Sequence, residues 1–399
     1  MSFINPNVDV YESNFHKYRK INYKSHEYHN LLFGVKMKID LKCASDDDEQ
    51  MWNDIVNSSY HGTLFHKYKW LKIIEKHSNS KLYPIIGYRG SVIVGLYPLF
   101  FSKRFGIKCV FSPPPGSAVP YLGPILSDYY DLKQSKRESI LKEFLRSIDE
   151  FIFNNLNANY VMISIVSDLD PRPFIWRQYN IQPLFDYFID LTHGADYVWN
   201  NFDKDARDHI KKVLKLNNIS EKKILIRSGT KNDLNILLDQ VAERYSEQNR
   251  KLSESKEYLE ELYETFYQTN NLKLFIVEYD GKIINGIVGL VDKNKIIFWI
   301  GALKPKDKTI SSNELLHWEA IKWACENNIE IYEEIGANLE RLCRSKSKYN
   351  PSVKQRYLAT KYSSILYLAA SGVYIKIVRP LYGRIFSLNT FNRKNNDAN

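Results

Sequence analysis

The chain has 399 residues, 44% of them hydrophobic and 26% charged, with a formal net charge of +10. A chain of that length holds two domains with a core each, and that composition excludes a disordered, fibrous or membrane-embedded chain. Cys43, Cys109, Cys325 and Cys343 show no Cys-x-x-Cys spacing and no nearby His pair, so a zinc ribbon and a disulfide framework are excluded and no metal is expected.

The charge is lopsided. Residues 341–399 carry 12 Lys/Arg and one acid, Asp397, whereas the first 340 residues carry 44 basic and 45 acidic residues. This points to an anionic partner met near the C-terminus, whether phosphate groups, an RNA such as tRNA, or an anionic membrane surface. A basic solubilising tail is the bland alternative. The uncharged stretch 362–375 has 14 residues, short of the ~20 that cross a bilayer. The first 30 residues lack the apolar core of a secretory signal. A cytoplasmic location is expected, with peripheral contact at the inner membrane face as an option.

In chain order, residues 1–34 read as a loosely ordered leader and 35–39 as a short alternating strand. Ser45 followed by Asp46, Asp47, Asp48 and Glu49 marks a helix start, since acids in a first turn suit the helix dipole. A second helix is expected over 68–77, with Trp70, Leu71, Ile73 and Ile74 on one side. A hairpin follows, then a strand at 109–111 and a shaped loop over 112–124 with five prolines and two glycines. A helix over 134–154 and a buried strand at 160–165 close the first half.

The second half repeats this order. Helices are expected at 203–216, 232–248 and 256–267, a hairpin at 272–291, a strand at 296–300, a helix at 313–326 and a strand at 330–335. Residues 341–356 read as a basic loop. The repetition is visible in the residues themselves. Tyr88-Arg89-Gly90-Ser91-Val92-Ile93-Val94-Gly95-Leu96 returns 191 positions later as Tyr279-Asp280-Gly281-Lys282-Ile283-Ile284-Asn285-Gly286-Ile287, each inside a strand–turn–strand pattern. A period this long implies tandem domains rather than a solenoid. The expected fold is α/β, a mixed sheet with helices packed on it. The expected divisions are 1–34, a first domain at 35–191, a second at 192–361 and a basic amphipathic C-terminal segment at 362–399.

Four stretches resemble the Fem-type peptidyltransferases and the GNAT-like acyltransferases allied to them, whose chains carry two GNAT-type domains in tandem. They are the Pro/Gly-rich 113–124; Lys204-Asp205-Ala206-Arg207-Asp208-His209-Ile210-Lys211-Lys212; Gly301-Ala302 through Leu315-Leu316-His317-Trp318-Glu319-Ala320-Ile321; and Tyr332-Glu333-Glu334-Ile335-Gly336-Ala337 followed by Val353-Lys354-Gln355-Arg356-Tyr357. Glu334 stands where the family usually has Asp, and Val353 where it usually has Phe. Residues 303–313 contain no glycine, so the pyrophosphate loop of single-domain GNAT enzymes is missing. Thr309, Ser311, Ser312 and Asn313 can still cap the following helix and leave amides facing an anion.

The resemblance implies an N-acyltransferase that moves an acyl group from acyl-CoA, or an aminoacyl group from tRNA, onto an amine of a phosphorylated cell-surface polymer precursor. It places backbone groups of 299–303 and 334–338 at the reacting centre. Glu334 is then positioned to accept the amine's proton, with an ordinary strand-end carboxylate as the alternative. Lys354 would neutralise a phosphate or the tetrahedral oxyanion, unless it is one more surface lysine. Arg207 and Lys211, four apart on one helical face with Lys212 beside them, would meet phosphates or form a solvated basic face. Tyr121 would line an acceptor pocket or pack under its loop; Trp299, Asn313 and Arg356 complete the substrate-binding set. Glu333 points away from Glu334 if the strand is regular. His66, His193, His209 and His317 have no acid or nucleophile at a recognisable spacing and read as structural. No Ser or Cys sits in a nucleophile turn, so direct attack by the amine is expected. The rival is a non-catalytic module that binds RNA or an anionic membrane through its basic C-terminus.

Overall fold

The computed structural model describes residues 38–104, 106–219, 223–247, 249, 254–301 and 310–364. The expected leader at 1–34, the loop residues 303–309 and most of the C-terminal segment, 365–399, lie outside the described residues. Along the chain run β1 (Asp40–Cys43), α1 (Glu49–Ser58), α2 (Tyr68–His77), β2 (Lys81–Arg89), β3 (Val92–Arg104), β4 (Ile107–Ser112), β5 (Ile125–Leu126), α3 (Gln134–Glu150), β6 (Tyr160–Ile165), α4 (Arg172–Trp176) and β7 (Asn180–Asp190). Then come α5 (Ala195–Asn201), α6 (Lys204–Ile219), β8 (Ile224–Ser228), α7 (Lys231–Glu247), α8 (Lys256–Tyr267), β9 (Leu272–Tyr279), β10 (Lys282–Asp292), β11 (Lys295–Gly301), α9 (Ser312–Glu326), β12 (Ile331–Glu334), α10 (Glu340–Lys346) and β13 (Ser352–Tyr362).

The strands form one mixed sheet in the order β1-β2-β3-β4-β6-β13-β7-β12-β11-β10-β9-β8, with β5 on β3. β4 and β6 are parallel, as are β11 and β12. Parallel neighbours need a long crossover, supplied by α3 in one half and α9 in the other. Each half then lends its last strand to the other. β7 pairs with β12 of the second half, β13 pairs with β6 of the first, and β7 and β13 pair antiparallel in the middle. The sheet therefore runs unbroken across the division expected at 191/192.

Alternation places the apolar faces. In α6, Ala206, Ile210 and Val213 are buried at helical spacing and pack with Leu315, Leu316 and Ile321 of α9. On the opposite face of the sheet, α2 meets α8 through Trp70 and Phe266, whose ring centroids are 4.9 Å apart. Both repeated hairpins are present, but the tight turn sits at Gly90-Ser91 in the first and at Asp280-Gly281 in the second, and each carries a bulge. Gly90, Asp280 and Gly281 take the positive φ that such turns demand. No helix among the described residues is long and apolar enough to cross a membrane.

The strand expected at 35–39 falls mostly outside the described residues; the first described strand is Asp40–Cys43, held by pairing with β2. One expectation is corrected. Residues 341–356 are not a loop: they form most of α10 and the start of β13. The polar β13 is extended because it has a strand on each side to bond to.

Candidate active site

β11 and β12 run parallel from Lys295 opposite Ile331 to Phe298 opposite Glu334, and then part. β11 continues to Gly301 along β10, with Trp299 bulged out between the Val288–Ile300 and Gly289–Phe298 pairs. The chain after β12 leans instead towards β7: Gly336 N donates to Asp186 Oδ1 at 2.7 Å and Ala337 N to Phe185 O at 2.7 Å. The split exposes main-chain donors and acceptors along 299–301, where an extended ligand arm can add on as a strand does. Glycine is required at both lips. Gly301 has φ +114°, and a Cβ there would lie 2.1 Å from Gly286 O. Gly336 has φ +92°.

The equivalent split in the first half is filled by its own chain. After β4 and β6 separate, the proline-rich loop returns between them. Leu122 N donates to Ser164 O at 2.8 Å, Leu122 bridges to Ile165, and Gly123 N donates to Ser112 Oγ at 3.0 Å. Leu122 is fully buried. Only the second half keeps an open split among the described residues.

At the lip of that split, Glu334 is buried on the α9 face of β12. Its Oε1 lies 3.9 Å from His317 Nε2 and 3.5 Å from Lys346 Nζ, and Lys346 also donates to Ile335 O at 2.6 Å. His317 Nδ1 and Tyr332 Oη are 2.7 Å apart, and the imidazole packs between Phe298 and Tyr349. Burial lowers the His317 pKa, against an opposing pull from Glu334, so the ring is neutral at physiological pH. The site thus offers a carboxylate, a neutral imidazole and an ammonium beneath an unpaired strand end. This is equipment for acyl transfer, where a proton leaves the attacking amine and main-chain donors meet a developing oxyanion.

Residues 201–340 match the family described as Acetyltransferase (GNAT) domain. The fold of the chain is similar to that of solved structures. The crystal structure of FemX superposes with a TM-score of 0.60 at 13% identity, covering 85% of this chain and 99% of that one. A conserved protein of unknown function from Bacteroides thetaiotaomicron VPI-5482 does so with a TM-score of 0.54 at 14% identity, covering 81% of this chain and 99% of that one. No curated protein matches the sequence.

Within this fold the residues singled out from sequence fall into three places. Glu334 and Asn313 are at the split; Asn313 stands in the first turn of α9, where its Oδ1 accepts from buried Asn285 Nδ2 at 2.6 Å. Tyr121, Trp299 and Arg356 brace the proline-rich loop on the opposite face. Tyr121, 2% exposed, donates to Glu333 Oε2 at 3.1 Å and accepts from Lys295 Nζ at 2.8 Å, so it packs beneath the loop. Burial alone would lower the Lys295 pKa, but Glu333 and Tyr121 beside it hold it above the usual lysine value. Trp299 Nε1 donates to Ala118 O at 2.6 Å. Arg356 donates to Asp186 Oδ2 at 2.6 Å, Ser164 Oγ at 2.9 Å and Pro120 O at 3.0 Å.

Arg207 and Lys211 occupy the third place, α6, with Arg207 donating to Asn200 O at 2.9 Å and Lys211 over the Trp199 ring. Lys354 is exposed and pairs with Asp186, whereas Glu334 pairs with Tyr187. Neighbouring positions on a strand face opposite ways, so Lys354 and Glu334 do not meet. Glu333, by the same rule, faces away from Glu334. His317, Lys346 and Asp186 were not among the residues singled out as functional.

Proposed function

We propose that the open split of the second half is the transfer site, with Glu334 as the base. A primary amine on the acceptor attacks the acyl carbonyl lying along 299–301, forming the new C–N bond. Glu334 takes the proton that the nitrogen loses, directly or through water, and main-chain N–H groups bind the oxyanion. Collapse expels the CoA thiolate or the tRNA ribose oxygen, which takes up a proton in turn. Neutral His317 and Lys346 are positioning residues that hold the Glu334 carboxylate at the lip.

The observation that carries this reading is the contrast between the halves: the same parallel pair is plugged by Leu122 in the first and open beside a buried carboxylate in the second. The halves are taken as 35–191 and 192–361. The acceptor class is an amine of a phosphorylated cell-surface polymer precursor. Its phosphates would meet the exposed face of α6 at Arg207, Lys211 and Lys212, and the donor is acyl-CoA or aminoacyl-tRNA. The test offers labelled acetyl-CoA and a mixed aminoacyl-tRNA pool separately to the purified chain with nucleotide-linked amino sugars and peptides. Label transferred from one donor, and lost in Glu334→Gln, supports the reading; no transfer from either donor overturns it.

A further inference from the structure

β6 ends at Ile165, opposite Tyr357 of β13, and the loop 166–171 then runs beside the first turns of α3. Between them lies a cleft of about 330 Å³ whose walls include Tyr129, Tyr130, Arg137, Asp168, Arg172 and Tyr357. That volume is at the small end of ligand sites.

The charges on its walls are unequally satisfied. Arg172 is spent on Asp170 and Glu138. Arg137 gives Nε to Leu132 O and Nη2 to Tyr130 O, lies 4.7 Å from the Tyr130 ring centroid, and has no carboxylate partner among the described residues. Asp168 is exposed and forms no salt bridge with Lys or Arg among the described residues; Tyr60 donates to its Oδ2 at 3.3 Å, and the nearby His61 is kept neutral by burial. The Tyr60 and Tyr130 rings pack edge to face at 4.3 Å between the two charges. One guanidinium and one carboxylate, each without a counter-charge and separated by aromatic rings, match a ligand that carries both signs. A dipeptide's ends are about 7 Å apart.

The cleft is on the same side of the sheet as Glu334. Tyr357 pairs with Pro183 and Val353 with Tyr187, and Tyr187 pairs with Glu334, so these residues share a face. Pro183, Val353 and Gln355 are exposed on that face and form an open floor. From β6 to β12 is three strand spacings, about 14 Å, and Pro183 to Tyr187 adds four residues along β7, about 13 Å, so Ile165 and Glu334 lie about 20 Å apart.

We propose that this cleft binds a zwitterionic amino-acid or peptide end, its ammonium on Asp168 and its carboxylate on Arg137. On the transferase reading above, on which this part rests, the end so held anchors an acceptor whose reacting amine lies about 20 Å away, at Glu334.

The test is titration of the full chain with L-alanyl-L-alanine and with its N-acetyl and C-amide forms, using wild type, Asp168→Asn, Arg137→Gln and Glu334→Gln. Either cap should weaken binding by about ten-fold or more. Asp168→Asn, a change at an exposed position, should weaken binding of the free dipeptide and leave the N-acetyl form unchanged. Arg137→Gln should leave the C-amide form unchanged, and Glu334→Gln should leave all three unchanged. Equal binding of all three peptides by wild type, or no saturable binding up to about 10 mM, overturns the proposal. Dipeptide binding without acyl transfer sinks the transferase reading and keeps the cleft; transfer without dipeptide binding does the reverse.

Discussion

Glu334 Oε1 lies 3.9 Å from His317 Nε2, although the two residues are separated by the end of α9 and the turn into β12. The pair stands directly below the point where β11 and β12 part, and its proximity makes Glu334 the proposed base. Glu334→Gln keeps the side chain's size and removes the proton acceptor, so kcat is expected to fall by about 10²–10⁴. Lys354→Ala, on the other face of the sheet, should change kcat by less than about ten-fold. Steady-state kinetics on the two variants check both values; the reverse order would move the chemistry to the opposite face.

Burial sets a pH dependence of stability. Burial lowers the His61 pKa to about 4 and the His66 pKa to about 3, and lowers that of His317 as well. An unfolded histidine titrates near 6.5, so below that pH the unfolded chain binds protons that the folded chain refuses. Stability is therefore full above about pH 6.5 and falls as pH drops towards 4, by about 2 kcal/mol each for His61 and His66 at pH 5, with His317 acting in the same direction. Urea unfolding at pH 7.5, 6 and 5 measures the slope. A His66→Asn variant should show a shallower one.

Asp186 ties three segments together. It accepts from Arg356 Nε at 2.6 Å and from Gly336 N at 2.7 Å, while Arg356 reaches Pro120 O in the proline-rich loop. Arg356→Met leaves a buried carboxylate unpaired and should cost about 3–5 kcal/mol. Adding Asp186→Leu should recover part of that loss, since the orphaned charge is gone. Chemical denaturation of both single variants and the double variant reads the coupling; additive losses would show that the pair contributes nothing as a pair.

The two glycines at the split should tolerate alanine unequally. Gly336→Ala meets no atom within 4 Å and suffers only its positive φ, a cost of about 1–3 kcal/mol. Gly301→Ala also drives a methyl group to 2.1 Å from a main-chain oxygen of β10, so it must move a strand and should cost more. Thermal unfolding of the two variants ranks them.

Elements with their own apolar period were legible in the sequence. The helix at Tyr68–His77 and the strand at Tyr160–Ile165 lie where their patterns place them, because each buries a continuous face. β7 and β13 were not legible. Their residues Gln182, Pro183, Val353, Lys354 and Gln355 are exposed, and what makes them strands is hydrogen bonding to neighbours on both sides. That exchange also decides which residues can meet. Glu334 could be singled out from its place at a strand end, but the separation of Lys354 from it depends on pairing register. The approach of His317 depends on how α9 returns to the sheet, and neither relationship leaves a local trace in the sequence.

The most direct test is a single-turnover assay with donor bound in advance, comparing wild type with Glu334→Gln. The account predicts equal donor affinity and a transfer rate at least about 100-fold lower in the variant. Equal transfer rates in the two proteins would contradict it and remove Glu334 and the second-half split from the chemistry.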